Sequence, residues 1–366
     1  MRSLFGLCAA LTVEGLAAVT VLTTDTAGPA TGDRLTTLSG VVHEAYGYPV
    51  YYCRKDIGAD VSTELFRRIP RLVSETDCIQ LTGVYSFPTL PVLAWARYYH
   101  KPVVWSPRGS LQPWDGRRRS GIKKVYNHVA ALTGDTRRIL LHVTSEAERN
   151  DSRAAFPRLR CAVVPNGIDI PAHPAQRTSL PDPRRLLFVG RLHPAKALER
   201  LIDALILLPD HTVHVYGGGE SGYVSALKDR AREAGVIGRF VLHGVLPEEE
   251  KDTVFADAGI CVVPSHSENF GLVVAEALAH GVPVVASTGT PWQGLEEHGC
   301  GRWVENTPES LAAALRDLCH ADLTEMGARG RAWMLDEFTW KSAAEKMAKV
   351  YTTHLADCNT LDAVSR

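Results

Sequence analysis

The stretch from residue 261 to residue 288 constrains the fold of this chain more than any other. An apolar run that ends at Pro264 is typical of a buried strand, and Gly271 to His280 has the alanines and leucines of a packed helix. Gly281 ends that helix, and the apolar run from Val282 to Ala286 follows at once. The stretch therefore predicts a strand, a loop, a helix and a second strand, the unit from which helix-covered parallel sheets are built.

Two glutamates flank the start of this predicted helix. Glu268 lies in the loop, and Glu276 lies about one and a half turns into the helix. Between them, the backbone N–H groups of Asn269, Phe270 and Gly271 come at a helix N-terminus, which attracts anions. Gly271 also lets a ligand approach the backbone closely. Two glutamates at this spacing can arise by chance, so it is the surrounding unit that makes the loop a candidate anion site.

Composition limits the classes of protein to which the chain can belong. With 366 residues it is long enough for two domains, and its 45% apolar and 22% charged content suits a soluble globular protein. A net charge of −1 provides no overall basic field for nucleic acid. The eight cysteines are scattered and form no C-x2-C pair. We therefore expect free buried thiols in a reducing, cytoplasmic compartment, rather than a zinc site or a disulfide framework.

Apolar runs alternate with helical segments along both halves of the chain. These runs lie at 78–82, 102–106, 139–144, 161–165, 185–189, 212–216, 240–243, 259–263 and 282–286. Strands separated by helices of about ten or more residues predict parallel, doubly wound sheets. A helix over 61–73 is expected to end or kink at Pro70. The fold class is therefore α/β, with two doubly wound Rossmann-like domains.

A polar, proline-rich stretch from Pro171 to Pro183 separates the two halves. It predicts an N-terminal domain over 1–170 and a second domain over 171–340, followed by a final helix within 341–366. At the other end, residues 1–13 fit either a short signal peptide or an amphipathic helix that leads to a strand. This first apolar run is interrupted before it reaches the ~20 residues that span a bilayer, and no other segment is long enough to do so.

The two glutamates and their surroundings resemble the E-x7-E signature of the retaining glycosyltransferases of family 4. The segment from Gly190 to Lys196 resembles the G-R-x4-K arrangement of the same family. The S-P-R-G segment from Ser106 to Gly109 resembles that of a bacterial cell-surface polysaccharide branch. This resemblance covers nearly the whole chain from about residue 77 onward. It implies the GT-B fold, in which two Rossmann-like domains face a cleft and the last helix crosses back to the N-terminal domain.

The resemblance implies a role for each donor-side residue. Glu268 would lie against the donor sugar, and Glu276 would hydrogen-bond the ribose of the nucleotide. Gly190 would permit a tight exit from its strand, after which Arg191 and Lys196 would stabilise the departing diphosphate without a metal. A solvated basic loop is the alternative for these two cations. Because no D-x-D occurs in the chain, neither a metal nor another cofactor is expected.

Two further donor-side positions depend on the backbone. Gly218 lies in a run of three glycines, which either a closely bound ligand or a flexible turn would explain. Val245 follows the run 240–243, where the family's backbone contacts the base; such a contact leaves little side-chain signature, so the base stays open. The expected donor-binding set is Gly190, Gly218, Val245, Asn269, Phe270, Gly271 and Glu276.

The acceptor side is expected in the first half of the chain. Arg108 follows a strand and would hold a phosphate or an acceptor hydroxyl, although a structural salt bridge explains it nearly as well. Gly83, which follows the run 78–82, is also predicted to lie on the acceptor side. The basic residues at 117–119 and 123–124 fit either acidic lipid headgroups or a lipid diphosphate, with a solvated helix face as the alternative.

The family opens with a strand and a glycine-rich turn before its first helix, whereas this chain opens with a helix at Ser3 to Val13. We therefore expect the natural reading frame to begin upstream of Met1 and to encode that segment. An in-frame stop directly before Met1 would contradict this expectation.

These features together predict a retaining, metal-independent hexosyltransferase of exopolysaccharide or lipopolysaccharide biosynthesis. Its partners would be a nucleotide-diphosphate sugar and a glycan or lipid-linked acceptor, with peripheral contact at the inner face of the membrane and no nucleic acid. The alternative is a degenerate, non-catalytic module that binds nucleotide or glycan. The two motifs speak against a nucleotide-sugar epimerase of the same fold.

Overall fold

The computed structural model describes residues 2–26, 35, 42–43, 47–57, 61–112, 120–172 and 180–364. The chain divides into two compact units. The first unit joins Met1–Gly167 to Trp340–Arg366, and the second unit is Ile168–Thr339. The last helix therefore belongs to the first unit. Among the described helices, none has the length and apolar character needed to cross a membrane.

The first unit contains seven described strands. They are β1 (Val21–Thr24), β2 (Val42–His43), β3 (Val50–Cys53), β4 (Ile79–Thr82), β5 (Val103–Ser106), β6 (Ile139–Val143) and β7 (Arg160–Val163). Its helices are α1 (Arg2–Val13), α2 (Thr63–Glu75), α3 (Thr89–Tyr98), α4 (Ser120–Thr133), α5 (Glu146–Ala155) and α13 (Trp340–Val364).

The strands of the first unit form two sheets rather than the one parallel sheet that the sequence predicts. β4, β5, β6 and β7 pair in that order, all parallel, whereas the second sheet has the order β1-β3-β2 with β2 antiparallel. In the described residues, β1 and β4 are each the outer strand of their sheet. Leu22 of β1 and Leu81 of β4 nevertheless belong to one apolar cluster, so both sheets cover the same core.

The helix α2 does not end at Pro70, contrary to that part of the sequence prediction. The helix continues to Glu75 and buries Leu65, Ile69 and Val73 on one face. A proline removes the hydrogen bond to the carbonyl four residues earlier, here that of Phe66. Phe66 itself is 47% exposed, so this turn of the helix borders solvent.

At the chain's start, α1 is a helix packed against α13, with Leu7 and Leu11 buried beside Ala344 and Met347. This packing agrees with the interpretation of residues 1–13 as an amphipathic helix that leads to a strand.

The second unit contains β8 (Arg185–Val189), β9 (Thr212–Tyr216), β10 (Phe240–Gly244), β11 (Ile260–Val263), β12 (Val284–Ser287) and β13 (Gly301–Val304). Its helices are α6 (Leu198–Ile206), α7 (Ser221–Glu233), α8 (Lys251–Ala256), α9 (Leu272–Ala279), α10 (Gly294–Glu297), α11 (Pro308–Leu318) and α12 (Leu323–Glu337). The six strands are all parallel, in the order β10-β9-β8-β11-β12-β13. The order reverses between β8 and β11, and ligands of such sheets bind at the carboxyl ends of the strands beside that reversal.

A chain of hydrogen-bonded, partly or fully buried polar side chains runs through the first unit from α13 to the end of β7. The hydroxyl of Tyr351 donates to Gln80 Oε1 (2.8 Å), and Gln80 Nε2 donates to Ser106 Oγ (2.7 Å). Burial lowers the pKa of His142 to about 3, so this imidazole is neutral. Its Nε2 donates to the carbonyl of Val164 (3.0 Å), which leaves Nδ1 to accept from Ser106 (2.8 Å). Ser106 is fully buried, so this serine–histidine pair stabilises the fold and offers no nucleophile to a substrate.

We predict that His142→Gln reduces the decrease in the free energy of unfolding as the pH falls. The folded pKa of His142 lies near 3 and its ordinary value near 6.5, so between these values the unfolded chain binds the extra proton. Stability from this group is therefore complete above about pH 6.5 and is lost as the pH falls towards 3. The expected loss from pH 7 to pH 5 is about 2 kcal/mol.

Urea unfolding at both pH values measures this loss, with His320→Gln at an exposed histidine as the matched control. Equal pH dependence in His142→Gln and the wild-type chain would contradict the assignment.

Candidate active site

The carboxyl end of β8 is joined to that of β9 by backbone pairing. Gly190 N–H donates to the Tyr216 carbonyl (2.9 Å), and Leu192 N–H donates to the Gly218 carbonyl (2.8 Å). A Cβ at Gly217 would lie 1.8 Å from Gly190 O, and one at Gly219 would lie 2.4 Å from Leu192 O. At Gly217 and Gly219, glycine is therefore required because neighbouring backbone lies where a Cβ would be. Neither a bound ligand nor a flexible turn is needed to explain these two positions.

The middle glycine, Gly218, has a different neighbour. A Cβ built there would lie 3.1 Å from Cγ2 of Val245, whose side chain is 74% exposed. The structure therefore brings together the two positions that the sequence assigned to the nucleotide.

Lys196 and Glu268 form an ion pair, although they lie in different motifs. Glu268 Oε1 accepts both from Lys196 Nζ and from the hydroxyl of Ser265 (2.8 Å). The side chains of Lys196 and Glu268 are 23% and 11% exposed, so the pair is largely shielded from water.

The loop that carries Glu268 is fixed on two sides. His266 N–H donates to the Ala195 carbonyl (2.8 Å), and Glu268 N–H donates to the Gly289 carbonyl (2.9 Å). The segments after β8, β11 and β12 therefore hold one another in place around the ion pair.

The start of α9 has the geometry that an anion requires. Gly271 precedes the helix with φ = 75°, and Val274 N–H is bonded back to its carbonyl (2.9 Å). The N–H groups that precede Val274 therefore lie in the first turn, where a helix offers no acceptor of its own. Trp292 Nε1–H donates to the Phe270 carbonyl (2.5 Å), and both rings are buried in the core. Trp292 therefore fixes this loop by packing, and Asn269 lies between the ion pair and the helix start.

Glu276 is engaged by a lysine that sequence reasoning missed. Lys251 Nζ of α8 lies 2.6 Å from Glu276 Oε1, and both side chains are mostly buried. The ring of His280 stacks on Phe255 of α8 with centroids 4.6 Å apart, which holds α8 against the end of α9. Lys251 follows Pro247-Glu-Glu-Glu in the sequence, a pattern typical of a solvated surface, so no local signal marks it.

Arg191 is exposed and forms no ion pair with any described residue. The structure therefore brings Lys196 and Glu268 into contact but does not add Arg191 to them. Among the described residues, no group of three or more His, Cys, Asp or Glu side chains is arranged to hold a metal ion.

In the first unit, Arg108 occupies a strained and half-buried position after β5. Its φ is 54°, in the left-handed region that non-glycine residues rarely adopt. Nη1 donates to Asn166 Oδ1, whereas Nε is buried without an acceptor among the described residues. Burial lowers the pKa of Arg108, and the carboxylate of Glu148 opposes that shift.

The expected alternative of a structural salt bridge at Arg108 is not found among the described ion pairs. Glu148 instead accepts from the N–H of Gly109 (2.7 Å) and from the N–H and hydroxyl of Thr144 (2.7 and 2.9 Å). It thereby holds the turn that carries Arg108. Gly83 ends β4 with φ = 83°, and its carbonyl accepts from Trp105 Nε1 (2.7 Å).

Comparison with known proteins places these motifs in a family. The profile of the family described as glycosyl transferases group 1 matches residues 169–333, almost the whole second unit. The D-inositol 3-phosphate glycosyltransferase of Mycolicibacterium gilvum is 33% identical over 251 residues, which cover 63% of this chain and 55% of that protein. The chain thus spans about half the length of the curated relatives it matches.

Solved structures extend the likeness to the whole chain. Sucrose-phosphate synthase from Thermosynechococcus elongatus superposes with a TM-score of 0.72 at 20% identity and covers 96% of this chain and 92% of its own. Anabaena HepE, solved with UDP and glucose, gives 0.72 at 21% identity over 96% and 95%. These likenesses confirm the predicted GT-B fold. The profile lies on the unit that contains the Lys196–Glu268 pair, and residues 169–333 match the group 1 glycosyltransferases, the family 4 type that the motifs resemble.

Proposed function

We propose that the chain is a retaining hexosyltransferase that moves a hexose from a nucleotide-diphosphate sugar to a glycan or lipid-linked glycan. The observation that carries this proposal is the Lys196–Glu268 ion pair, which lies beside the start of α9 at the carboxyl ends of β8 and β11. This arrangement offers a cation to a diphosphate and a carboxylate to sugar hydroxyls, side by side.

The chemistry requires charge to grow on the departing diphosphate. The bond between the anomeric carbon and the phosphate oxygen breaks, and its electron pair leaves with the diphosphate. Lys196, Arg191 and the first-turn N–H groups of α9 would stabilise that charge, because fixed donors lower the barrier where charge develops. The acceptor oxygen would form its bond on the same face, and the departing phosphate oxygen would take the acceptor's proton.

The donor's nucleotide would lie beside Val245 and Gly218, with its ribose on Glu276. Lys251 holds Glu276 in the structure, so ribose binding would either share that carboxylate or replace the lysine. Anabaena HepE was solved with UDP and glucose, so UDP-glucose is the first donor to test.

On the acceptor side, Arg108 would bind an anionic group. Its buried, unsatisfied Nε and lowered pKa describe a guanidinium whose hydrogen-bonding capacity is only partly used. A phosphate oxygen would satisfy it, and the name of the Mycolicibacterium relative records a phosphorylated acceptor. We propose a phosphate-bearing or lipid-diphosphate acceptor in polysaccharide biosynthesis, met at the cytoplasmic face of a membrane.

We predict that Lys196→Ala lowers transfer by about a hundred-fold or more, because one charge-stabilising donor is lost. A screen of nucleotide sugars by thermal stabilisation selects the donor; a ligand at 100 times its Kd adds about 2.7 kcal/mol. Release of nucleoside diphosphate with a glycan acceptor then measures turnover. Lys228→Ala, at an exposed lysine of α7, is the matched control.

Near-normal turnover in Lys196→Ala would refute the diphosphate assignment. A wild-type chain that binds a donor tightly but transfers to no acceptor would support the non-catalytic binding module instead.

We predict that Glu276→Gln weakens binding of the free nucleoside diphosphate, since a charge-assisted hydrogen bond to ribose becomes a neutral one. The expected loss is about ten-fold, measured by titration calorimetry. Glu268→Gln serves as the comparison, because it should impair transfer more than nucleotide binding. Unchanged affinity in Glu276→Gln would remove the ribose role.

We predict that a chelator leaves transfer unchanged. In this proposal, Lys196, Arg191 and the start of α9 take the place of a metal at the diphosphate. Turnover with and without EDTA measures the effect, and loss of turnover that magnesium or manganese restores would overturn the proposal.

A further inference from the structure

Helix α4 exposes a stripe of large aliphatic side chains. Ile122, Val125, Val129 and Leu132 are 70%, 65%, 40% and 63% exposed. Their spacing of three, four and three residues places all four on one face of the helix. Ala130 is fully buried on a different face, so α4 is anchored to the unit by one side and turns its apolar stripe to the outside.

The sequence of α4 and of the three residues before it is basic. From residue 117 to residue 133 the sequence has five Lys or Arg (Arg117, Arg118, Arg119, Lys123 and Lys124) and no Asp or Glu. Lys124 and His128 are exposed and follow the stripe along one flank. Lys123 lies over the ring of Tyr85, 4.9 Å from its centroid.

The stripe continues at its end into an exposed aromatic ring. Arg97 Nη1 donates to the carbonyl of Leu132 (2.8 Å), which ties the end of α3 to the end of α4. The neighbouring Tyr98 is 69% exposed, although its ring packs edge-on against Trp95. Tyrosine combines an apolar ring with a polar tip, a combination suited to the boundary between lipid and water.

Four exposed aliphatic side chains in one row are unusual on a surface where such residues normally occur singly. An apolar helix face with a basic flank is the pattern of a helix that lies in a membrane interface. The cationic flank favours anionic lipid headgroups. Nucleic acid would require aromatic stacking platforms and cations in place of the aliphatic row.

We propose that α4 docks the first unit on an anionic membrane surface. In this arrangement the aliphatic stripe lies among the upper acyl chains, and Lys124 and His128 lie at the level of the headgroups. The proposal does not depend on the proposed transfer reaction, because it rests only on residues of the first unit's outer surface.

The test is co-sedimentation of the full chain with vesicles of phosphatidylcholine alone or with phosphatidylglycerol added. Binding to the anionic vesicles, weakened by salt, is expected. The double variant Val125→Glu/Leu132→Glu should lower that binding at least ten-fold. Lys124→Glu should lower it by about five-fold or more, since each basic side chain near such a surface is worth about that factor.

The matched control is Ile206→Glu/Ile237→Glu, which puts the same charges at exposed isoleucines of the second unit. It should bind vesicles like the wild-type chain. Circular dichroism of every variant checks that the fold is kept.

Three outcomes would overturn the proposal. One is a wild-type chain that stays in the supernatant with both vesicle types. Another is equal loss of binding in the stripe and control variants. The third is a concentration-dependent dimer, measured by light scattering, that the stripe variant abolishes while vesicle binding persists, because that result would make the stripe an interface between two copies of the chain.

Discussion

The ion pair between Lys196 and Glu268 depends on the strand order of the second unit. Lys196 follows β8 and Glu268 follows β11, and these strands are neighbours only because the sheet reverses its order between them. Bringing two charges out of water costs free energy that their attraction must offset, and the hydroxyl of Ser265 adds the second hydrogen bond that this requires. The desolvation of this pair therefore costs more free energy than that of a surface salt bridge, and its geometry is better ordered. A diphosphate that replaced Glu268 as the partner of Lys196 would find a cation already desolvated and fixed in position, which is the condition under which electrostatic stabilisation is strongest.

The sequence predicts well where one short segment determines its own structure. The unit around α9 was predicted nearly to the residue, because an apolar run, a glycine on each side of the helix and a second apolar run restrict the backbone locally. The same locality explains the pair of motifs that suggested Lys196 and Glu268. Roles that depend on the bound donor, such as that of Glu276 on a ribose, cannot be obtained from the folded chain alone and stay predictions.

Contacts between distant segments could not be predicted in this way. Lys251 reaches Glu276 only because α8 packs on the end of α9, and nothing in the charged sequence around Lys251 encodes that packing. The sequence left ligand approach and a flexible turn open for the glycine run after β9, whereas the outer two glycines accommodate the backbone of Gly190 and Leu192. Pro70 was expected to interrupt α2, but the helix continues to Glu75 and buries one face against the core. Each of these outcomes depends on which face of an element meets its neighbour, and that is a property of the whole unit.

Arg108 in the first unit differs from Lys196 in the second, because Lys196 has a carboxylate partner and Arg108 has none among the described ion pairs. Arg108 is half-buried after β5, adopts a left-handed conformation and leaves one nitrogen unsatisfied. Each of these features costs stability, and the surroundings hold them in place: Glu148 fixes the turn through Gly109, and Asn166 fixes the guanidinium. Beneath the turn, the hydrogen bonds of Ser106 and the neutral His142 complete a network without charge. In the proposed function, a partly satisfied cation on this neutral, hydrogen-bonded support would gain hydrogen bonds when an anion binds, and the stability lost at Arg108 would then contribute to affinity for an anionic acceptor.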